Sequence, residues 1–230
     1  MISKAPVRLA VYFLLAALLG MAGYLFWPRS SMLSHFDAAP MAELQVGVWR
    51  HAAEKNQEQV FMDFYLILNG QYRLPPLRAG TAALSLLQAQ RAFAEAADHA
   101  DEEQALPFLQ KSFSIMAETT GAHFDPTILA RLELFTWSLA RDRSKERQLT
   151  AAITEKLALL HGGAARDYQA AATDFAHAAR LKAGKNWSAA LAAEIIAWQK
   201  LRLSLDSRSS EPLDQLPVLP SAGSSRSSQL

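Results

Sequence analysis

The sequence predicts an all-α chain in which a single N-terminal transmembrane helix is followed by an antiparallel helical bundle and a disordered tail. Three observations carry that expectation. Residues 9–27, LAVYFLLAALLGMAGYLFW, contain no charged side chain. From Pro40 to Leu205, apolar residues recur at spacings of three and four, with proline and glycine mostly at the boundaries of these runs. Beyond Leu205 the composition turns to serine, proline and isolated charges, which bury too little to offset the entropy of ordering.

As a helix, the uncharged stretch is roughly 28 Å long at about 1.5 Å per residue, close to the ~30 Å hydrocarbon core of a bilayer. A cleaved secretory signal is the rival reading, since Lys4 and Arg8 precede the run and Gly20 and Ala22 are small. The run exceeds the roughly 7–15 residues of a signal h-region, and cleavage would leave Tyr24, Leu25, Phe26 and Trp27 as an apolar new terminus. A retained anchor over 9–28 is therefore expected, with Tyr24 and Trp27 at the interface and Pro28 ending the helix. Lys4, Arg8 and the terminal amine precede the span, whereas Arg29 alone follows closely. The positive-inside rule then places residues 1–8 in the cytoplasm and the helical domain on the periplasmic or exoplasmic side of the inner (plasma) membrane. The absence of cysteine is neutral here, because a domain of this size buries enough apolar surface without disulfides.

Residues 29–39 read as a linker, 40–205 as one helical domain and 206–230 as a disordered Ser/Pro-rich tail. The net charge of +1 and pI near 8.0 give no basic stripe for nucleic acid. Pro40 opens a first helix reaching about Lys55, with Gly47 as its weak point. Val60, Phe61, Phe64, Tyr65 and Leu68 mark a second, from about Gln57 to Gln71, and Leu74-Pro75-Pro76 makes a stiff link. From Leu77 to Asp98, Ala82, Leu86, Ala89, Phe93 and Ala96 form the clearest amphipathic stripe. Asp101 is the expected cap of a helix carrying Leu106, Leu109, Phe113 and Met116, ended by Thr119, Thr120 and Gly121.

Asp125-Pro126 is a strong helix start. Ile128, Leu132, Phe135 and Leu139 make one stripe, which Leu129, Leu134 and Trp137 widen, so this helix is expected to be central. The mixed charges from Arg141 to Arg147 read as a solvated turn. Leu149, Ile153, Leu157 and Leu160 mark a helix closed by Gly162-Gly163, where His161 reads as a cation favoured at a helix C-terminus. Tyr168, Ala172, Phe175 and Ala179 mark the next, and Trp187, Leu191, Ile195, Trp198 and Leu201 the last, capped by Asn186 or Ser188. Such helix pairs invite comparison with tetratricopeptide repeats. The similar AQRAFAEAAD and AATDFAHAAR neighbourhoods of Phe93 and Phe175, however, lie 82 residues apart, which is not a multiple of the 34-residue period. An irregular bundle is the leading expectation.

Catalytic patterns are absent from the sequence: there is no cysteine, no Gly-x-Ser-x-Gly elbow and no phosphate-cradling glycine loop. His51 with Glu54, Asp174 with His177, and Glu95 with His99 are the nearest approaches to a metal pair, and two ligands do not close a site. No cofactor is called for. Two sets remain. Trp49, Phe61, Phe64, Tyr65 and Tyr72 are dense in aromatics and form a candidate interaction patch; Asp63, Arg91, Arg131 and Glu133 are ionisable residues on apolar helices and form a candidate polar cluster. The leading functional expectation is a membrane-anchored interaction module, serving as scaffold, assembly factor or accessory subunit for another membrane or periplasmic protein. The alternative is a helical ligand-binding protein or enzyme with a polar pocket. Buried polar side chains converging on a cavity would favour the alternative.

Overall fold

Local capping chemistry sets several of the helix limits seen in the computed structural model, which describes residues 33–209 and, before them, residues 14–17, 19–21 and 23, all helical. The helices are α1 (Ala38–Ala53), α2 (Gln57–Tyr65), α3 (Pro76–Glu95), α4 (His99–Glu102), α5 (Leu106–Thr120), α6 (Pro126–Arg141), α7 (Glu146–His161), α8 (Gln169–Ala183) and α9 (Trp187–Ser209). Asn56 caps α2 through the Gln59 amide at 3.2 Å, and Asp125 caps α6 through Thr127 and Ile128 at 2.7 and 3.2 Å. Gly121 ends α5 in the left-handed region, at φ 66°. Among the described residues there is no strand, and no helix is long and apolar enough to cross a membrane. The anchor expected at 9–28 lies largely outside the described residues, as do residues 1–8 and the tail beyond Ser209.

Several expectations need correction. Asp98, not Asp101, is the cap after α3: its carboxylate accepts from the Asp101 amide at 3.0 Å and starts the short α4, which runs through a 3-10 turn into α5. The 29–39 segment is not a free linker where it is described, because Leu33 and Phe36 are buried and join the core. On α6, Ile128 and Phe135 point outward, about half exposed, while Leu129, Leu134 and Trp137 are buried. The sequence stripe was wide, and helix packing chose one side of it. The second helix does reach Gln71 as expected, but it is not α-helical beyond Tyr65. It continues as a π-helix, Leu66–Gln71, whose wider turn ends with the Tyr72 amide donating to the Ile67 carbonyl at 3.0 Å.

Packing follows the chain in order. Each long helix lies against its sequence neighbours: α1 on α2, α2 on α3, α3 on α5, then α5, α6, α7, α8 and α9 in succession, and α9 returns to pack on α1. Among the described residues the eight long helices thus close into a ring, so α6, expected to be central, is instead one member of the wall with α5 and α7 on its two sides. Closure rests on Phe36, whose ring meets Trp198 edge-on at 4.7 Å, and on Arg202, which donates to the Phe36 carbonyl at 2.8 Å.

Two glycines are required by close approach. A Cβ on Gly47 would lie 2.7 Å from Asp63 Oδ2, so the point read as a helix weakness is where α1 and α2 cross. There His51 Nδ1 and Asp63 Oδ2 meet at 2.8 Å, and burial raises the Asp63 pKa against the lowering effect of that histidine. Gly163, at φ 90°, leaves space that the Arg208 guanidinium occupies. Arg208 donates to the Gly162 carbonyl at 2.6 Å and to the Tyr168 hydroxyl. This clasp, with buried Leu205, holds residues 206–209 helical where the sequence predicts the disordered tail to begin.

Candidate functional site

A ring of helices leaves an interior to be filled, and here the side chains do not fill it. A cavity of about 490 Å3 lies at the centre, lined from all eight long helices. That volume is within the roughly 300–1,000 Å3 typical of small-molecule sites. One wall is aromatic: Trp49, Phe93 and Trp137 pack edge to face, with centroids 5.3–6.4 Å apart. The π-helical turn contributes as well, since Ile67 and Leu68 reach the cavity from it and Tyr72 from the residue that follows it. Burial, followed by the nearby Glu133 charge, raises the Tyr72 pKa, so its hydroxyl stays protonated.

Charge in the lining is confined to one half. The residues from α1, α2, α3 and α5 include no Asp, Glu, Lys or Arg, whereas Glu133, Arg141, Lys156, Lys182 and Glu194 come from α6 to α9 and Lys185 from the link between α8 and α9. Glu133 accepts from Lys156 Nζ at 2.9 Å and from Trp137 Nε1 at 2.8 Å. Glu194, at 1% exposure the most buried carboxylate described, accepts from Lys182 Nζ at 3.0 Å. Arg141 closes on buried Glu102 at 3.1 Å and lies over the Phe93 ring at 3.8 Å.

Four lining side chains carry buried polar atoms with no partner among the described residues: Gln90 Oε1, both ring nitrogens of His161, Glu194 Oε1 and Trp198 Nε1. Buried polar atoms in folded proteins are paired as a rule. The four residues line the cavity, but these atoms themselves are covered by neighbouring protein and present no open surface to it.

His161 corrects its sequence reading. Burial, reinforced by Arg208 and Lys156, lowers its pKa from 6.5 to about 4, so it is a neutral imidazole rather than a helix-end cation. The unfolded chain binds this proton more readily, so His161 favours the folded state fully above pH 6.5. That contribution is lost as pH falls from 6.5 towards 4, by up to about 3 kcal/mol. Denaturant titrations between pH 7.5 and 4 are expected to show this loss, and His161→Phe to flatten it. An unchanged slope in that variant would remove His161 as the cause.

The sequence-predicted sets are only partly brought together. Trp49, Phe64 and Tyr72 line the cavity; Phe61 and Tyr65 do not, and stack on one another at 6.3 Å. The five aromatics are not a single surface patch. Of the polar cluster, Glu133 alone lines the cavity: Asp63 is held by His51, Arg91 pairs with Glu95 on an exposed face at 2.7 Å, and Arg131 is exposed. Sequence reasoning missed Lys182, Glu194, His161 and Gln90. A buried ion pair between α8 and α9 leaves no local signature, because its members look like ordinary helix-surface charges. No protein-family model matches the chain, and no similar curated protein or solved structure is found.

Proposed function

We propose that this chain is a ligand-binding protein whose closed helical ring encloses a small, largely apolar molecule. The observation that carries the reading is the central cavity, with its aromatic wall and its lining drawn from eight helices. The binding reading uses no nucleophile or acid–base pair; orientation by a few fixed polar groups in an apolar chamber is what such a site supplies. We further propose that residues 9–28 hold the ring at a membrane. The support is the uncharged length of that stretch and its described residues Leu14, Leu15, Leu19 and Met21, which are helical and 49–71% exposed. Recovery of the chain in the supernatant of high-speed centrifuged lysate would end the membrane reading and leave the cavity reading untouched.

The cavity is tested with the full chain in lipid nanodiscs and the neutral fluorophore N-phenyl-1-naphthylamine, whose emission rises in apolar surroundings. Saturable one-to-one binding is expected, with affinity at least tenfold lower in Ala179→Phe, which fills the chamber from α8. Comparing the two proteins in the same nanodiscs cancels probe dissolved in lipid. Equal binding by a folded Ala179→Phe protein would sink the proposal.

A further inference from the structure

We infer that the cavity takes a single-chain anionic amphiphile, tail first, with a carboxylate or comparable monoanionic head held at the mouth by Lys185. The inference rests on the ligand-binding reading and adds the chemistry and direction of the occupant.

Exposure identifies the mouth. Of the lining residues, Ala53, Ala94, Arg141, Ala183 and Lys185 are the exposed ones, whereas Phe64, Leu68, Phe113, Met116 and Leu129 are buried. Ala53, Ala94, Arg141 and Ala183 lie in the last turns of α1, α3, α6 and α8, and Lys185 follows α8. Consecutive long helices alternate in direction around the ring, which puts these four C-terminal ends on one side of it. Along α6 the lining runs from buried Leu129 out to Arg141, roughly 18 Å at about 1.5 Å per residue. The chamber is therefore a deep sleeve with its mouth at this end and with Met116 and Leu129 towards its floor.

Free charge is found only at that mouth. Inside, Lys156 is paired with Glu133 at 2.9 Å and Lys182 with Glu194 at 3.0 Å. At the rim, Arg141 is held by Glu102 at 3.1 Å and by the Phe93 carbonyl at 3.0 Å. The carboxylates next along from the exposed lining are taken too, Glu95 by Arg91 at 2.7 Å and Asp142 by Lys145 at 3.3 Å. Glu54 and Lys55, which follow Ala53, carry opposite signs. Lys185 is the lining cation with no ion pair among the described residues, and it stands in solvent. A charged head placed deep in the sleeve would have no free counter-charge, and a buried unpaired ion is heavily disfavoured. An anionic head at the mouth meets the Lys185 ammonium while staying hydrated, and its chain follows the apolar walls inward. A cationic head there meets like charge.

The test uses decanoate, decylammonium and 1-decanol, which share one chain length, as competitors of N-phenyl-1-naphthylamine on the full chain in zwitterionic nanodiscs at pH 8. Free probe concentrations are set against protein-free nanodiscs. Decanoate is expected to compete at least tenfold more tightly than decylammonium, since one ion gains what the other loses. Lys185→Asn should weaken decanoate about three- to fivefold, the upper range for an exposed ion pair, and Lys185→Arg should restore it, while decanol stays within twofold in both. Asparagine suits the position because Lys185 sits at φ 56°, a left-handed conformation that asparagine tolerates. Decylammonium competing as tightly as decanoate overturns the inference. So does an unchanged decanoate affinity in Lys185→Asn, which would leave the lysine serving only the negative end of α8. Either result leaves the ligand-binding reading standing, whereas no competition by any probe, together with no saturable fluorophore binding, overturns both.

Discussion

Lys182→Met is expected to lower the stability of the folded chain by about 3–5 kcal/mol at neutral pH, the usual cost of removing one member of a buried ion pair. The mechanism is the carboxylate left behind. Glu194 is 1% exposed, and the Lys182 ammonium 3.0 Å away is its recorded hydrogen-bond partner. Methionine keeps the length of the side chain and its packing, so the loss reports charge rather than volume. At roughly 2–4 °C per kcal/mol for a domain of this size, the thermal midpoint should fall by about 6–20 °C. The double variant Lys182→Met with Glu194→Leu should recover most of the loss, because a buried pair exchanged for apolar side chains is often neutral or better. A single variant within about 1 kcal/mol of the parent would mean that water reaches Glu194 and that the ion pair does not hold the two helices together.

Phe36→Ala should cost about 3–5 kcal/mol, the range for emptying a buried aromatic site. Phe36 is 4% exposed and wedged edge-on against Trp198, and its carbonyl holds Arg202. It precedes α1 yet packs on α9, so it works as the pin that joins the two ends of the ring. The effect should therefore be local as well as large. Amides of α1 and α9 should lose protection in hydrogen exchange before those of α5 and α6, which lie across the ring. A uniform loss of protection, or a stability change below about 1 kcal/mol, would show that the ring closes without this pin.

The helices themselves were legible because their signals are local. Asp125-Pro126 caps and opens α6 with the expected hydrogen bonds, Gly121 ends α5, and Ala82, Leu86, Ala89 and Phe93 form the buried stripe of α3. Each depends on side chains within a turn or two of one another. The errors fall where the deciding contact is distant in sequence. Nothing near Phe36 announces Trp198, and nothing near Arg208 announces Gly163. Ile128 and Phe135 repeat every seven residues as well as any core pair does, yet face outward, because period defines a face without saying which neighbour covers it.

The candidate site shows the same divide. The aromatic set named Trp49, Phe64 and Tyr72, which do meet the cavity, but grouped them with Phe61 and Tyr65, which do not. One extra residue per turn in the π-helical segment turns Ile67, Leu68 and Tyr72 inward together, and that widening is invisible to a 3.6-residue template. Histidine 161 is the clearest reversal: its position beside Gly162 implies a cation, while its burial near Arg208 and Lys156 makes it neutral.

By itself, the sequence determined that this protein is helical from end to end of its apolar-periodic region, where most of its helices start and stop, and that its first uncharged run differs in kind from the rest. These follow from backbone capping, side-chain periodicity and transfer free energies, which act over a few residues. Only the tertiary structure decided that the helices form a ring, that a partly open cavity lies within it, and that Lys182, Glu194, His161 and Trp198 line one half of that cavity. Such an arrangement depends on whether the last helix meets the first, a contact across some 150 residues of chain whose energy is set by packing and burial, with no trace in any local pattern.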